Sequence, residues 1–208
     1  MKFITKQALR DWLDSLAKEV TLIAPVEAEM GVMPGMTEPP SPGLNALYKP
    51  VKGADEIMWD FKRTLMSIRE FVWPKTETLF TIEKDEEGKT VLNEMRLEGP
   101  QVIFGVRPCD GHGLRVLDAI MMEDEPVDTY YADRRQKTTL VGLACPEMWD
   151  GCFCTSVGGA PNDTEGLDIL LTELEDGYAV QVITEKGEKL AEGMGLQEVE
   201  DRELPEPE

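Results

Sequence analysis

The chain has 208 residues, 41% of them hydrophobic, with 21 Lys and Arg against 41 Asp and Glu and a formal charge of -20 at pH 7. Such a length buries the core of one moderate domain without disulfides or metal to hold it together. The acidity argues against nucleic acid and against anionic membrane surfaces, both of which need Lys and Arg clusters, and no run approaches the roughly 20 apolar residues of a membrane span.

The N-terminus, Met1 to Lys6, leads into a charged amphipathic stretch rather than an apolar signal core. This reads as a cytoplasmic protein in a reducing setting, where clustered cysteines point to metal or redox work rather than disulfides.

Taken in chain order, Leu9, Trp12, Leu13 and Leu16 fall at helical spacing, predicting a helix over 5–19 with Thr5 as its cap. Val20 to Val26 reads as a strand. From 31 to 53 the chain reads as an irregular loop, rich in Pro and Gly as far as Gly43. Met58, Phe61, Leu65, Ile68 and Phe71 suggest a largely helical 54–72. Strands are expected at 78–83 and 101–106, with a polar turn at 85–89 between them. A helix is predicted over 111–122, a short helix or turn over 127–135 and a buried strand over 138–144. Glu175-Asp176-Gly177 between two apolar runs predicts a hairpin, followed by a short helix over 186–192. One domain therefore spans 1–194, and 195–208 is an acidic tail expected to be disordered or held by a partner.

Strand, helix, strand order over 101–144 predicts an α/β fold: a mixed sheet with flanking helices and a cysteine-bearing loop region at the carboxyl ends of strands. The chain has four cysteines, Cys109, Cys145, Cys152 and Cys154. If 101–106 and 139–144 are parallel neighbours, Cys109 and Cys145 emerge on one edge and all four form one site. Four thiolates suit either a tetrahedral zinc or one cubane iron–sulfur cluster. The spacing matches neither a zinc ribbon nor a ferredoxin, so zinc, a cluster and unliganded thiols all stay open at this point. Cys152 and Cys154 straddle one residue, so the loop must bend there for both sulfurs to face one centre. Arg107, Arg134 and Arg135 lie nearby in sequence as candidates to stand behind the ligands and offset a negative centre. The single histidine, His112, reads as incidental, and Asp110, Asp118 and Asp133 read as solvated or capping groups. No nucleotide-binding glycine motif is present.

These residues carry a family resemblance. Gly105-Val106-Arg107-Pro108-Cys109-Asp110, Asp128-Thr129-Tyr130-Tyr131 with Arg134-Arg135, Gly142-Leu143-Ala144-Cys145 and Cys152-Phe153-Cys154-Thr155-Ser156 resemble segments of the iron–sulfur beta subunits of cytoplasmic sulfhydrogenases and of their counterparts in anaerobic sulfite reductases. The resemblance runs from about 60 to 190. It implies one [4Fe-4S] cluster on Cys109, Cys145, Cys152 and Cys154. It also implies a non-catalytic electron-transfer subunit. Its expected partners are an FAD/NAD(P)-binding oxidoreductase subunit, together with hydrogenase or heterodisulfide reductase-type subunits. The beta subunits continue into a ferredoxin-like domain that is not found in this sequence, so a separate ferredoxin-like iron–sulfur subunit is a further expected partner. The alternative from the residues alone is a structural or scaffolding subunit with a zinc-bound or metal-free cysteine site.

Overall fold

The computed structural model describes residues 1–28, 45–123, 125–148, 151–200 and 203–205. The elements are β1 (Lys2–Thr5), α1 (Lys6–Leu16), β2 (Thr21–Glu27), β3 (Ala46–Pro50), β4 (Phe80–Lys84), β5 (Thr90–Glu94), β6 (Gln101–Val106), α2 (Pro108–Asp118), α3 (Thr129–Lys137), β7 (Thr138–Leu143), β8 (Ile169–Glu173), β9 (Gly177–Val182), α4 (Glu185–Ala191) and β10 (Gln197–Glu198). Among the described residues they form an eight-stranded sheet in the order β10-β1-β9-β8-β7-β6-β2-β3, and β4 and β5 form a separate ribbon. The centre, β2-β6-β7-β8, is parallel. Antiparallel partners close both sides: β3 on β2, and β9, β1 and β10 beyond β8. This is the mixed α/β sheet that the strand and helix order predicts.

The central strands are nearly continuous apolar runs because both faces are covered, as parallel sheets require. One face carries Leu22, Ala24, Val102, Phe104, Val141, Leu143, Ile169 and Leu171, and it packs against Leu9, Trp12, Leu13 and Leu16 of α1. The other carries Ile23, Ile103, Leu140 and Leu170 and packs against Leu114 of α2 and Tyr131 of α3. The alternation follows from the two-residue period of a strand. The start of α1 is fixed by Thr5, whose hydroxyl accepts the Ala8 N–H at 3.2 Å.

The alternation breaks once, in β6. Gly105 adopts φ 80°, and the register with β7 shifts between Phe104 and Val106. Phe104 and Val106 are two residues apart, yet they join opposite cores. A bulge of this kind re-aims everything downstream of it, and here the next residue is Arg107.

Several expectations change. Residues 54–72 are not a helix: only the short 3-10 turns Ala54–Glu56 and Ile68–Phe71 form. The segment wraps the sheet instead, so that Ile57 and Phe61 join the first core and Ile68 and Val72 the second. The loop expected over 31–53 contains β3, while Gly31 to Gly43 lies outside the described residues. The tail begins with an ordered pairing, since β10 adds to β1. The short strands β1, β3 and β5 were not foreseen.

One tight approach fixes α2 against the loop that carries the later cysteines. Gly166 has φ 79°, and a Cβ there would stand 2.1 Å from the Gly111 carbonyl oxygen. Gly166→Ala combines positive-φ strain with a backbone clash and is expected to lower stability by about 2–3 kcal/mol, read as an earlier midpoint in urea unfolding.

Candidate metal centre

Strands β6 and β7 deliver the first two cysteines side by side at their carboxyl ends. Arg107 caps α2, Pro108 is its first residue and Cys109 its second. Proline suits that position because its missing N–H would be unpaired there in any case. Cys145 follows β7 after Ala144, and its N–H donates to the Pro161 carbonyl at 2.9 Å. The bend expected between Cys152 and Cys154 occurs at Phe153 (φ -141°, ψ 10°), which leads into the 3-10 turn Cys154–Val157. The Gly159 N–H closes that turn on the Cys154 carbonyl at 2.9 Å.

The result is one cavity of about 340 Å³ whose wall includes Cys109, Cys145, Cys152 and Cys154. Cys109 and Cys152 are exposed, Cys145 and Cys154 are half-buried, and all four are unbridged thiols. Burial pushes the Cys109 thiol up to about 11, helped by the neighbouring Asp110 carboxylate and by Cys145 and Cys154. Cys145 is also raised, first by burial, with Cys152 and Cys154 adding to it and Arg107 opposing it. Crowded thiols resist ionising together, and a cationic centre removes that resistance by replacing their protons.

The four thiols are the soft donors that either a zinc ion or an iron–sulfur centre takes. Zinc bonds of about 2.3 Å place tetrahedral ligand sulfurs roughly 3.8 Å apart. Among the described residues no three cysteine sulfurs lie within 4.8 Å of one another. A polynuclear iron–sulfur centre spreads its thiolates more widely around a larger core, and the four-thiol lining of this cavity fits it. The N-terminus of α2 adds the positive end of a helix dipole beside Cys109.

Arg107 does not reach into the cavity as a cluster-directed cation. It is 6% exposed, and its guanidinium is held by backbone carbonyls: Nε donates to Lys62 at 3.1 Å, Nη1 to Leu143 at 3.4 Å and to Ala144 at 3.2 Å, and Nη2 to Phe61. The Phe61 ring lies 4.2 Å from its centre. It therefore ties the exit of β7, immediately before Cys145, to the wrapping segment and to the start of α2, immediately before Cys109.

Arg134 and Arg135 sit on α3 and do not line the cavity. Arg134 pairs with Glu77 at 2.5 Å, and Arg135 holds both oxygens of Asp118 at 3.1 and 3.2 Å. Asp118 is buried, not solvated, and accepts the Tyr131 hydroxyl at 2.5 Å. Together they brace α3 against α2. The arginine that does line the cavity is Arg63, from the wrapping segment, and nothing in its spacing to the cysteines marks it. His112, expected to be incidental, lines the cavity too, with Nδ1 3.9 Å from Asp163 and 3.7 Å from Glu165. Its place three residues after Cys109, one helical turn along α2, is the signal that could have located it.

The similarity found among known proteins is to a sulfhydrogenase beta subunit, the class that the cysteine-bearing segments resemble. Over 141 residues, 67% of this chain, it is 36% identical to sulfhydrogenase 2 subunit beta of Pyrococcus furiosus. The match covers 40% of that protein, so the chain spans less than half of this relative's length. No protein-family profile and no solved structure matches the chain. No helix among the described residues is long and apolar enough to cross a membrane.

Arg107→Met keeps the aliphatic stem but leaves carbonyls at Phe61, Lys62, Leu143 and Ala144 without their donor. It is expected to cost about 3–5 kcal/mol in urea unfolding. In the metal-free chain, alkylation of Cys109 by iodoacetamide should rise with pH toward a midpoint near 11, not the ~8.5 of an ordinary thiol. Mass mapping of the labelled peptide reads that midpoint.

Proposed function

We propose that this chain is a non-catalytic electron-transfer subunit of an anaerobic oxidoreductase complex, carrying one [4Fe-4S] cluster on Cys109, Cys145, Cys152 and Cys154. The observation that supports this reading most is the lining of a single cavity by all four thiols at the carboxyl ends of two parallel strands. When bound, a cluster of this kind supplies reversible one-electron storage whose potential depends on hydrogen bonds, charge and exposure. The chain's own residues supply the rest. The cysteines ligate, Arg107 holds two of the cysteine-bearing segments in register, and the α2 dipole favours negative charge beside Cys109.

The exposed Cys109 and Cys152, with Phe153 at 68% exposure on the rim, leave the centre open to an approaching carrier. The resemblance to a sulfhydrogenase beta chain supports a hydrogenase-type partner. In the finer reading, electrons pass from or to a flavin- and NAD(P)-linked subunit on one side. On the other side stands a hydrogenase, sulfite reductase or heterodisulfide reductase-type module in the cytoplasm. A ferredoxin-like subunit would supply further clusters.

Purified without oxygen, the chain should contain about four iron and four acid-labile sulfide and show a brown colour that bleaches on reduction. Cys154→Ala should lower iron content and electron flux through the assembled complex together. Stoichiometric zinc without sulfide would overturn the reading in favour of a structural site. Full flux in a variant depleted of iron would overturn it as well.

A further inference from the structure

One side chain on the wall of the cysteine cavity has no part in holding the proposed cluster. The Nδ1 of His112 is buried and has no hydrogen-bond partner among the described residues. Asp163 Oδ2 stands 3.9 Å from it and Glu165 Oε2 3.7 Å, both too far for a hydrogen bond. The three side chains nevertheless bring their donor atoms within 4.8 Å of one another. Ligand atoms bound tetrahedrally to a divalent ion at about 2.1 Å stand roughly 3.4 Å apart, so a small closure brings all three onto one ion.

The fold holds these atoms in place. His112 projects from α2, and Asp163 and Glu165 come from the loop before β8. Gly166 of that loop lies so near the Gly111 carbonyl that a Cβ would be 2.1 Å from it, which presses loop and helix together beside His112. The Glu165 N–H donates to Asp163 Oδ1 at 3.0 Å, leaving Oδ2 as the oxygen nearer the imidazole. Gly159 faces both donors: a Cβ there would stand 3.5 Å from Asp163 Oδ2 and 3.6 Å from His112 Nδ1. Having no side chain, it leaves that approach clear.

The donor types select the occupant. Two carboxylates repel anions, and one imidazole nitrogen with two carboxylate oxygens suits divalent first-row ions such as manganese, iron and zinc. Glu165 is exposed, so water can complete the shell.

We propose that His112, Asp163 and Glu165 form a metal site separate from the cysteines, taking one divalent first-row cation through Nδ1 and two carboxylate oxygens. The inference does not depend on what the cysteine cavity holds. His112 and Asp163 also line that cavity, so a cation bound to them places positive charge on its wall.

The test uses the full chain purified without oxygen and titrated with Mn²⁺, which favours oxygen donors over thiolates. Ionic strength is held at about 0.15 M, where exposed carboxylates are screened, and the paramagnetic resonance signal follows the free ion. One equivalent should bind saturably. The chain has one histidine, so nitrogen coupling in the pulsed spectrum of the bound ion identifies His112. His112→Gln should abolish that coupling and weaken binding about tenfold or more. Asp163→Asn, whose Oδ1 can still accept the Glu165 N–H, should weaken binding by a similar factor with the fold intact. Glu86→Gln, in the exposed turn between β4 and β5, should leave affinity unchanged and separates a site from general acidity. Iron content of the same samples reports on the cysteine cavity independently, so either reading can fail alone. Absence of saturable binding, absence of nitrogen coupling, or unchanged affinity in either His112→Gln or Asp163→Asn overturns the proposal.

Discussion

The buried guanidinium of Arg107 is the constraint on which the arrangement of the cysteines depends. A cation taken out of water is costly unless its donors are met, and here they are met by carbonyls that regular structure leaves over. The Leu143 and Ala144 carbonyls lie at the end of β7, and those of Phe61 and Lys62 belong to a segment with no helix of its own. One side chain thus satisfies two chain segments and ties both to its own at the sheet edge. The bulge at Gly105 makes this possible. Without the shift in register Val106 would stay on the face of Phe104, and the following side chain would turn the other way. The Tyr48 hydroxyl, which donates to the Gly105 carbonyl at 2.9 Å, holds the bulge from β3, on the far side of β2.

The wrapping segment explains why apolar spacing misleads over 54–72. Met58, Phe61, Leu65, Ile68 and Phe71 recur at three or four residues, as on a helix face. A helix would bury that stripe against a single surface. The segment serves two instead, because Phe61 belongs to one core and Ile68 to the other. The chain must stretch to pass the sheet edge between them, and tertiary burial overrides a local period. The Leu65 N–H donates to the Ala46 carbonyl at 2.8 Å midway across, so the crossing is pinned to β3.

What was legible in the sequence follows the length and burial of each element. β6 and β7 are buried on both faces and read as unbroken apolar runs, and the Asp176-Gly177 turn marks the β8–β9 hairpin. β1, β3 and β10 are short and lie toward the sheet margins, where pairing with a neighbour, not composition, makes them strands. The two cysteine loops were legible because each follows a readable strand. The roles of the arginines were not, because nearness in sequence does not tell where a guanidinium is used. Arg134 and Arg135 point to Glu77 and Asp118, groups that no local motif associates with them.

Charge sets the last condition on the site. The protein is strongly acidic, and a four-thiolate centre of the proposed kind would add further negative charge where Asp110, Asp163 and Glu165 already stand close by. Arg107, the arginine nearest the cysteines in sequence, is used up by carbonyls. Among the described residues Arg63 is the Lys or Arg on the cavity wall, and the fold adds the α2 N-terminus. Fixed backbone dipoles are weaker than a full charge, and exposure to water must supply the rest of the stabilisation. A site built in this way stays near the surface, as the exposed Cys109 and Cys152 do. The same exposure makes its electrostatics responsive to whatever covers it. A partner that brings Lys or Arg to the rim would offset the carboxylates and displace water together, so docking and the potential of a centre held there would be coupled through one surface.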